Sequence, residues 1–173
     1  YITSVGHAGP TATFGRRYVF AGLEQRTFLT QVRLNYTVSP DLTLEVYAEP
    51  FAASGRYHGF GELPAARSYA LRRYGSDGTS ISQAEPDGPY TVRDGARGFT
   101  VPFSDFNVRS LRSNAVVRWE WRPGSTLFLV WQQDRAADRA DGAPVWLDDL
   151  WDSFSTRGDN RFVIKATYWL PVT

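Results

Sequence analysis

The residues best suited to ligand chemistry are aromatic and arginine side chains interleaved between residues 51 and 74. Aromatic rings offer flat apolar faces, and guanidinium groups donate hydrogen bonds in a fixed fork. This combination is suited to stacking sugars or anionic glycans, and it is equally suited to plugging the mouth of a barrel. The candidate ligand-binding residues are Arg56, Tyr57, Phe60, Tyr69, Arg72 and Tyr74.

Catalytic and metal-binding patterns are missing from the sequence. The chain has no cysteine, and its two histidines, His7 and His58, lack the spacing of paired metal ligands. No nucleophile-elbow, phosphate-loop or dinucleotide-binding motif occurs. Six aspartates crowd residues 134–152, but without the spacing of a calcium loop we interpret them as part of a solvated loop. We therefore lean against an enzyme and expect no catalytic residue, no metal and no cofactor.

Two predicted hairpins would position the polar side chains. Even-numbered residues from 28 to 38 are mostly apolar, and the pattern returns over residues 42–49 after the turn at 39–41. A three-residue connection places Val38 opposite Leu42, so the apolar residues of both strands share a face. A second hairpin covers residues 111–132 around a turn at 123–125, and a last strand covers residues 161–170. Val32, Leu34, Leu44 and Val46 should share one face, as should Val117, Trp119, Leu127 and Leu129.

The predicted fold is all-β: an antiparallel up-and-down meander of about seven to eight strands, forming a barrel or a barrel segment. We assign residues 1–173 to a single domain. The candidate strands are 1–7, 12–23, 26–38, 42–52, 107–121, 126–134 and 160–170. A small hairpin is predicted over 81–92, and one short helix near 144–154. The apolar stripe of this helix should be buried against the barrel mouth or a partner; it comprises Trp146, Leu147, Leu150 and Trp151.

Charged residues of both signs occupy the face opposite the apolar one. In a barrel they would line the lumen and form cross-strand ion pairs, whereas in a soluble sandwich they would be the solvated face. A carboxylate pair such as Glu45 and Glu49 could also serve acid–base chemistry, but structural ion pairing is favoured beside so many arginines. The candidate lumen ion-pairing residues are Arg33, Glu45, Glu49, Arg112, Arg118, Glu120 and Lys165.

Three features favour a membrane barrel over a secreted or periplasmic sandwich. The regular strands are about as long as a tilted membrane strand. Short turns alternate with long excursions at 52–106 and 134–159, which is typical of outer-membrane barrels. Aromatic residues also fall at strand ends on the apolar face, where a membrane–water interface selects them. They are Tyr36, Trp119, Trp121 and Tyr168.

Much of the chain resembles one bacterial family. The stretches that carry the resemblance are Leu23–Thr27, Arg33–Thr37, Ser39–Leu42, Tyr47–Phe51, Ser54–Tyr57, Asp105–Asn107, Arg109–Val116, Trp119–Gln133 and Lys165–Leu170. They are similar to the C-terminal end of large exported proteins of undescribed function. In that family a family-nine-like carbohydrate-binding sandwich precedes an outer-membrane-type β-barrel. The resemblance implies a closing barrel segment in the bacterial outer membrane. Functions of the binding domain and of the earlier strands are not carried over.

Composition constrains the partners. The 19 basic and 18 acidic residues nearly cancel, which argues against nucleic acid. The chain has no methionine, and we expect it to be a piece of a longer protein. An open sheet edge is costly in lipid, so we expect pairing with missing N-terminal strands or with another copy of the chain. The other expected partners are outer-membrane lipid or detergent, and a glycan at the 51–74 segment.

Overall fold

The computed structural model describes residues 1–6 and 9–170. His7 therefore lies outside the described residues, as do one end of the first predicted strand and the last three residues of the chain. None of the helices within the described ranges is long and apolar enough to cross a membrane.

Eleven strands and one α-helix make up the regular structure of the described residues, and a short 3-10 turn spans Thr11–Thr13. The helix α1 is Leu147–Ser155. The strands are β1 Thr3–Val5, β2 Arg17–Leu29, β3 Val32–Ser39, β4 Leu42–Glu62, β5 Arg72–Arg73, β6 Thr79–Gln83, β7 Tyr90–Asp94, β8 Arg97–Val101, β9 Phe106–Arg122, β10 Ser125–Arg139 and β11 Gly158–Thr167.

Hydrogen bonding divides these strands between two sheets. The larger sheet has eight strands in the order β1-β2-β4-β9-β10-β11, with β3 and β5 also paired to β4. The smaller sheet has the order β6-β7-β8. The predicted fold class is confirmed: an antiparallel meander of about eight strands with one short helix.

The chain groups into two compact units, which long strands pass through. The first unit comprises Tyr1–Arg26, Ser54–Asn107 and Arg139–Pro144. The second unit comprises Thr27–Ala53, Val108–Asp138 and Val145–Thr173.

The first unit holds the hydrophobic core. Its buried members are Val19, Phe60, Tyr74, Val92 and Val101. The predicted hairpin over 81–92 is present, with Ile81 directly opposite Val92. A third strand, β8, follows β7 after a two-residue turn at Gly95, whose φ of +59° suits glycine. Burying one face of this three-stranded sheet closes the core.

The second unit contains the β3–β4 hairpin in the predicted register. Leu34 faces Val46 and Tyr36 faces Leu44, so their apolar side chains share one face. At the turn the prediction was wrong by one residue: Ser39, not Val38, pairs with Leu42. A register shift between Thr37 and Ser39 absorbs the extra residue, which is the effect of a β-bulge.

The β10–β11 pair continues the same alternation. Leu129 lies opposite Ile164, and Trp131 lies opposite Phe162 with ring centroids 6.0 Å apart and nearly parallel planes. The turn between β9 and β10 contains two residues, Pro123 and Gly124, rather than the three predicted.

Several predicted boundaries were wrong. The break after β2 falls at residues 30–31 rather than near residue 25, and β4 continues to Glu62 rather than ending at 52. The first part of the 51–74 segment is therefore strand, not loop. Strand and turn propensities locate boundaries poorly where a strand carries glycines and prolines, as β4 does at Pro50, Gly55 and Gly59.

The apolar stripe of α1 was predicted to be buried, and the rest of this chain does not bury it. Trp146, Leu147 and Trp151 are 61–72% exposed, whereas Ser153 is fully buried. The opposite face of the helix contacts β9 instead, because Arg109 forms ion pairs with Asp149 and Asp152. Charge pairing therefore decides which side of α1 contacts the sheet.

Candidate functional site

The first unit contains a cavity of about 750 Å³. Its wall is built by the end of β4, by β6 and β7 with their connecting turn, and by residues 103–105. This volume lies within the range of small-molecule binding sites. We call it the first-unit cavity.

Aromatic rings line one wall of the first-unit cavity. Phe60 and Tyr90 have ring centroids 4.7 Å apart, and Tyr90 and Phe103 have centroids 6.2 Å apart. The interplanar angles of 44° and 31° leave the three rings as a bent apolar surface. Phe60 is anchored in the core, and the other two rings are half-buried.

Polar groups surround this wall. The Tyr57 backbone N–H donates to Asp105 Oδ1 at 2.7 Å, which fixes the carboxylate at the cavity. Burial and then the negative charge of Asp105 raise the pKa of Tyr90, while the positive charge of Arg56 opposes them. The phenol therefore stays protonated as a hydrogen-bond donor at neutral pH, beside an anion and a cation.

His58 also lines the first-unit cavity, and Gly22 leaves space for it. A Cβ at position 22 would lie 2.8 Å from His58 Cε1, so any larger residue there would displace the imidazole. Over residues 1–6 and 9–170, no group of three or more His, Asp or Glu side chains is arranged to hold a metal ion.

Four of the six candidate ligand-binding residues meet at this cavity: Arg56, Tyr57, Phe60 and Tyr74. Tyr69 is fully exposed on the segment after β4, and Arg72 lies in a separate ion network. Sequence reasoning missed Tyr90, Phe103 and Asp105. Their only sequence signal was the predicted hairpin that brings Tyr90 back toward β6.

The ion network joins two arginines and two carboxylates of the first unit. Arg17 donates to both oxygens of Glu62 at 3.0 and 2.8 Å, and to Asp94 at 2.6 Å. Arg72 bonds the same two carboxylates at 3.0–3.1 Å. Glu62 is completely buried and also accepts a hydrogen bond from the Tyr74 hydroxyl at 3.2 Å.

This network keeps the Asp94 carboxylate charged. Hydrogen bonds from Arg72 and then Arg17 lower the pKa of Asp94 to about 2. Burial and the charge of Glu62 raise the pKa of Tyr74. Groups shifted in these directions are poor proton donors at neutral pH, so the network has the character of structural support.

The polar face of the second unit carries the candidate lumen residues. A concavity of about 400 Å³ lies there, and Arg33 and Glu45 are among its lining residues. Arg33 lies opposite Tyr47 with its guanidinium 5.4 Å above the ring. The nearest partners of Glu49 are the Gln31 amide, at 2.7 Å, and the Tyr47 hydroxyl.

The other candidate lumen residues lie on the later strands. Arg118 and Glu120 form an ion pair at 3.0 Å. Lys165 lies opposite Phe128, with its ammonium 5.9 Å from the ring centroid, and Arg112 is exposed on β9.

The apolar face of the second unit is exposed. Val32 and Leu34 are each 50% exposed, Leu129 is 41% exposed, and Ile164 is 73% exposed. Tyr36, Trp119 and Tyr168 are also exposed. We call the residues Val32, Leu34, Tyr36, Val38, Leu129, Trp131, Phe162 and Ile164 the outer apolar face.

Comparison with protein-family models, with curated proteins and with solved structures gave no match.

Proposed function

We propose that this chain is part of the wall of a bacterial outer-membrane β-barrel, with the strands of the second unit crossing the bilayer. The observation that carries the proposal is the outer apolar face, whose residues are 41–74% exposed along strands with regular alternation. Alternating lipid-facing and lumen-facing residues are characteristic of such barrels. The resemblance found in the sequence points the same way.

The polar face of the same strands supports a lumen. It combines the concavity at Arg33 and Glu45 with the Arg118–Glu120 ion pair. Charged side chains are expensive in contact with lipid and are tolerated where they face water or each other. The exposed rings of Tyr36, Trp119 and Tyr168 are suited to the interface regions.

The alternative is a soluble β-sandwich, secreted or periplasmic, that binds glycans. A sandwich would bury the apolar face against a second sheet. Among the residues that the structure describes, the clustered apolar core belongs to the first unit, and the outer apolar face of the second unit has no such cover. This distribution favours the barrel wall.

The natural absence of cysteine permits a direct test by site-directed spin labelling. Four single variants scan β3: Val32→Cys, Arg33→Cys, Leu34→Cys and Asn35→Cys. After reconstitution in phosphatidylcholine vesicles, labels at 32 and 34 should collide with dissolved oxygen, which concentrates in lipid. Labels at 33 and 35 should collide with a water-soluble nickel complex.

Residues 33 and 35 thus serve as matched controls one position away on the same strand. Loss of the two-residue period would contradict the proposal, as would a protein that stays in the aqueous phase as a compact monomer. Labels at 32 and 34 shielded from both reagents would favour the sandwich.

A further inference from the structure

We propose that the first-unit cavity binds an uncharged saccharide. The proposal concerns the first unit alone and does not depend on whether the second unit crosses a membrane. It rests on the shape of the aromatic wall, on the balance of charges around it and on the way its polar groups are held.

The aromatic wall offers a stacking surface of suitable size. Phe60, Tyr90 and Phe103 lie side by side with centroid separations of 4.7 and 6.2 Å. Sugar rings present apolar C–H faces that stack on such rings, while their hydroxyl groups stay at the edge. The half-buried Tyr90 and Phe103 leave ring surface available to a ligand in the cavity.

The charges around the wall select against an anionic ligand. Three carboxylates line the cavity, Asp87, Asp105 and Asp141, against the single guanidinium of Arg56. An acidic sugar would be repelled by this excess of negative charge. Neutral hydroxyl groups, in contrast, both donate to carboxylates and accept from arginine, so a mixed set of donors and acceptors suits them.

The polar groups are held in place before any ligand arrives. The Tyr57 backbone N–H anchors Asp105, and the Gln83 side chain donates to the Pro86 and Gly88 carbonyls, both at 2.9 Å. These two bonds fix the turn between β6 and β7, where Asp87 lies. A pre-formed site loses less conformational entropy on binding, which favours affinity.

The test is a titration of the whole chain with defined oligosaccharides, in which binding is measured by isothermal titration calorimetry. The neutral probes are maltohexaose, cellohexaose and xylohexaose; the charged probes are an oligogalacturonate and a hexamer of glucosamine. Where a detergent is needed, a non-glycosidic one such as lauryldimethylamine oxide avoids competition from sugar headgroups.

Two cavity variants and one control locate the binding. Phe103→Ala removes part of the stacking surface, and Arg56→Ala removes an exposed donor with little risk to folding. Each should weaken the binding of the neutral probe by roughly tenfold, a change that corresponds to about 1.4 kcal/mol. Tyr69→Ala is the matched control, because Tyr69 is a fully exposed aromatic residue outside the cavity lining.

Millimolar or tighter binding of a neutral probe, weakened by both cavity variants and unchanged in the control, supports the proposal. Binding of none of the neutral probes overturns it. Stronger binding of either charged probe also overturns it, as does neutral binding that both cavity variants leave intact.

Discussion

The ion network of the first unit consists of contacts between single residues that the sequence did not predict. Arg17 lies 45 positions from Glu62 and 77 positions from Asp94. Alternation patterns relate residues two apart, and so they carry no information about partners at such distances. In the sequence, Arg17 and Glu62 look like isolated charges. They become ion-pair partners only when the first unit folds.

Once formed, the network is strongly coupled to the core. Glu62 has no exposed surface, and Phe99 packs with its ring centroid 5.0 Å from the Arg17 guanidinium carbon. Removing one member of a buried ion pair leaves an uncompensated charge, which costs more than the pair itself contributes. We therefore expect a substitution of any single member of the network to destabilise the first unit.

Asp94 gives a pH prediction for the first unit. Its folded-state pKa of about 2 lies below the ordinary value of 3.8. The stability that it contributes is fully present above pH 4 and is lost as pH falls from about 4 to 2, because the unfolded chain then binds the proton first. We expect the free energy of unfolding of the first unit to fall over this range.

The measurement needs a probe in the right unit. All six tryptophans lie in the second unit, so their fluorescence does not report on the first. The buried methyl groups of Val92 and Val101 do, and their NMR signals can be followed through urea unfolding at each pH. Asp94→Asn should flatten the dependence between pH 4 and 2. An unchanged slope in this variant would contradict the assignment.

Only some of the residues that line the first-unit cavity could be identified from the sequence. Arg56, Tyr57 and Phe60 were placed correctly next to each other because they share β4. Tyr69 follows the strand and points elsewhere, because a composition pattern does not reveal where a strand ends. Tyr90 and Phe103 come from later segments that only the folded sheet brings to β4.

At the scale of elements, the β3–β4 hairpin was predictable almost completely. Apolar alternation and a short turn together leave one register that keeps both apolar rows on the same face. Leu34 opposite Val46 follows directly. The bulge at Val38 was not predictable, since apolar alternation does not show where a strand takes up one extra residue.

The α1 helix was predictable in existence but not in orientation. Its start is marked by a capping interaction in which the Trp146 N–H donates to Asp149 at 2.6 Å. An amphipathic stripe normally faces the core. Here Asp149 and Asp152 face Arg109 of β9 instead, because a partly buried guanidinium needs a counter-charge.

This arrangement predicts that Arg109 anchors α1. In Arg109→Ala we expect hydrogen exchange of the amides of residues 147–155 to accelerate by about fivefold to tenfold, as loss of roughly 1 kcal/mol of local stability implies. Exchange measured by mass spectrometry on the peptide that covers α1 reports this change. Arg112→Ala, three residues along the same strand and exposed, is the control and should have no effect. Equal exchange in wild type and Arg109→Ala would refute the anchoring role.

At the scale of the whole molecule, apolar surface is distributed unevenly. The clustered core lies in the first unit, whereas the second unit exposes Leu34, Phe162 and Ile164. Contiguous exposed apolar surface indicates an interaction with lipid or protein. Alternation alone could not distinguish this arrangement from a sandwich, because both produce the same sequence pattern.

The free edge of β11 leads to the last prediction. Within the part of the chain that the structure describes, β11 pairs only with β10, and every residue of β11 is exposed. Unpaired backbone N–H and C=O groups cost several kcal/mol each in hydrocarbon. In lipid nanodiscs the chain on its own should therefore associate through this edge, and native mass spectrometry should find multiples of its 19.5 kDa mass.

A lysine at Val163 tests whether the β11 edge is responsible. Val163 lies between Arg161 and Lys165, so Val163→Lys adds a third positive charge to the strand that two copies would have to bring together. We expect this variant to lower the multimer fraction, whereas Thr43→Lys on β4, a strand that pairs with both β3 and β9, should leave it unchanged. A monomer in nanodiscs would contradict edge pairing between copies. A wild-type monomer that is soluble without detergent would also contradict the proposed membrane location, because a bare sheet edge beside a large exposed apolar face normally marks an interaction surface.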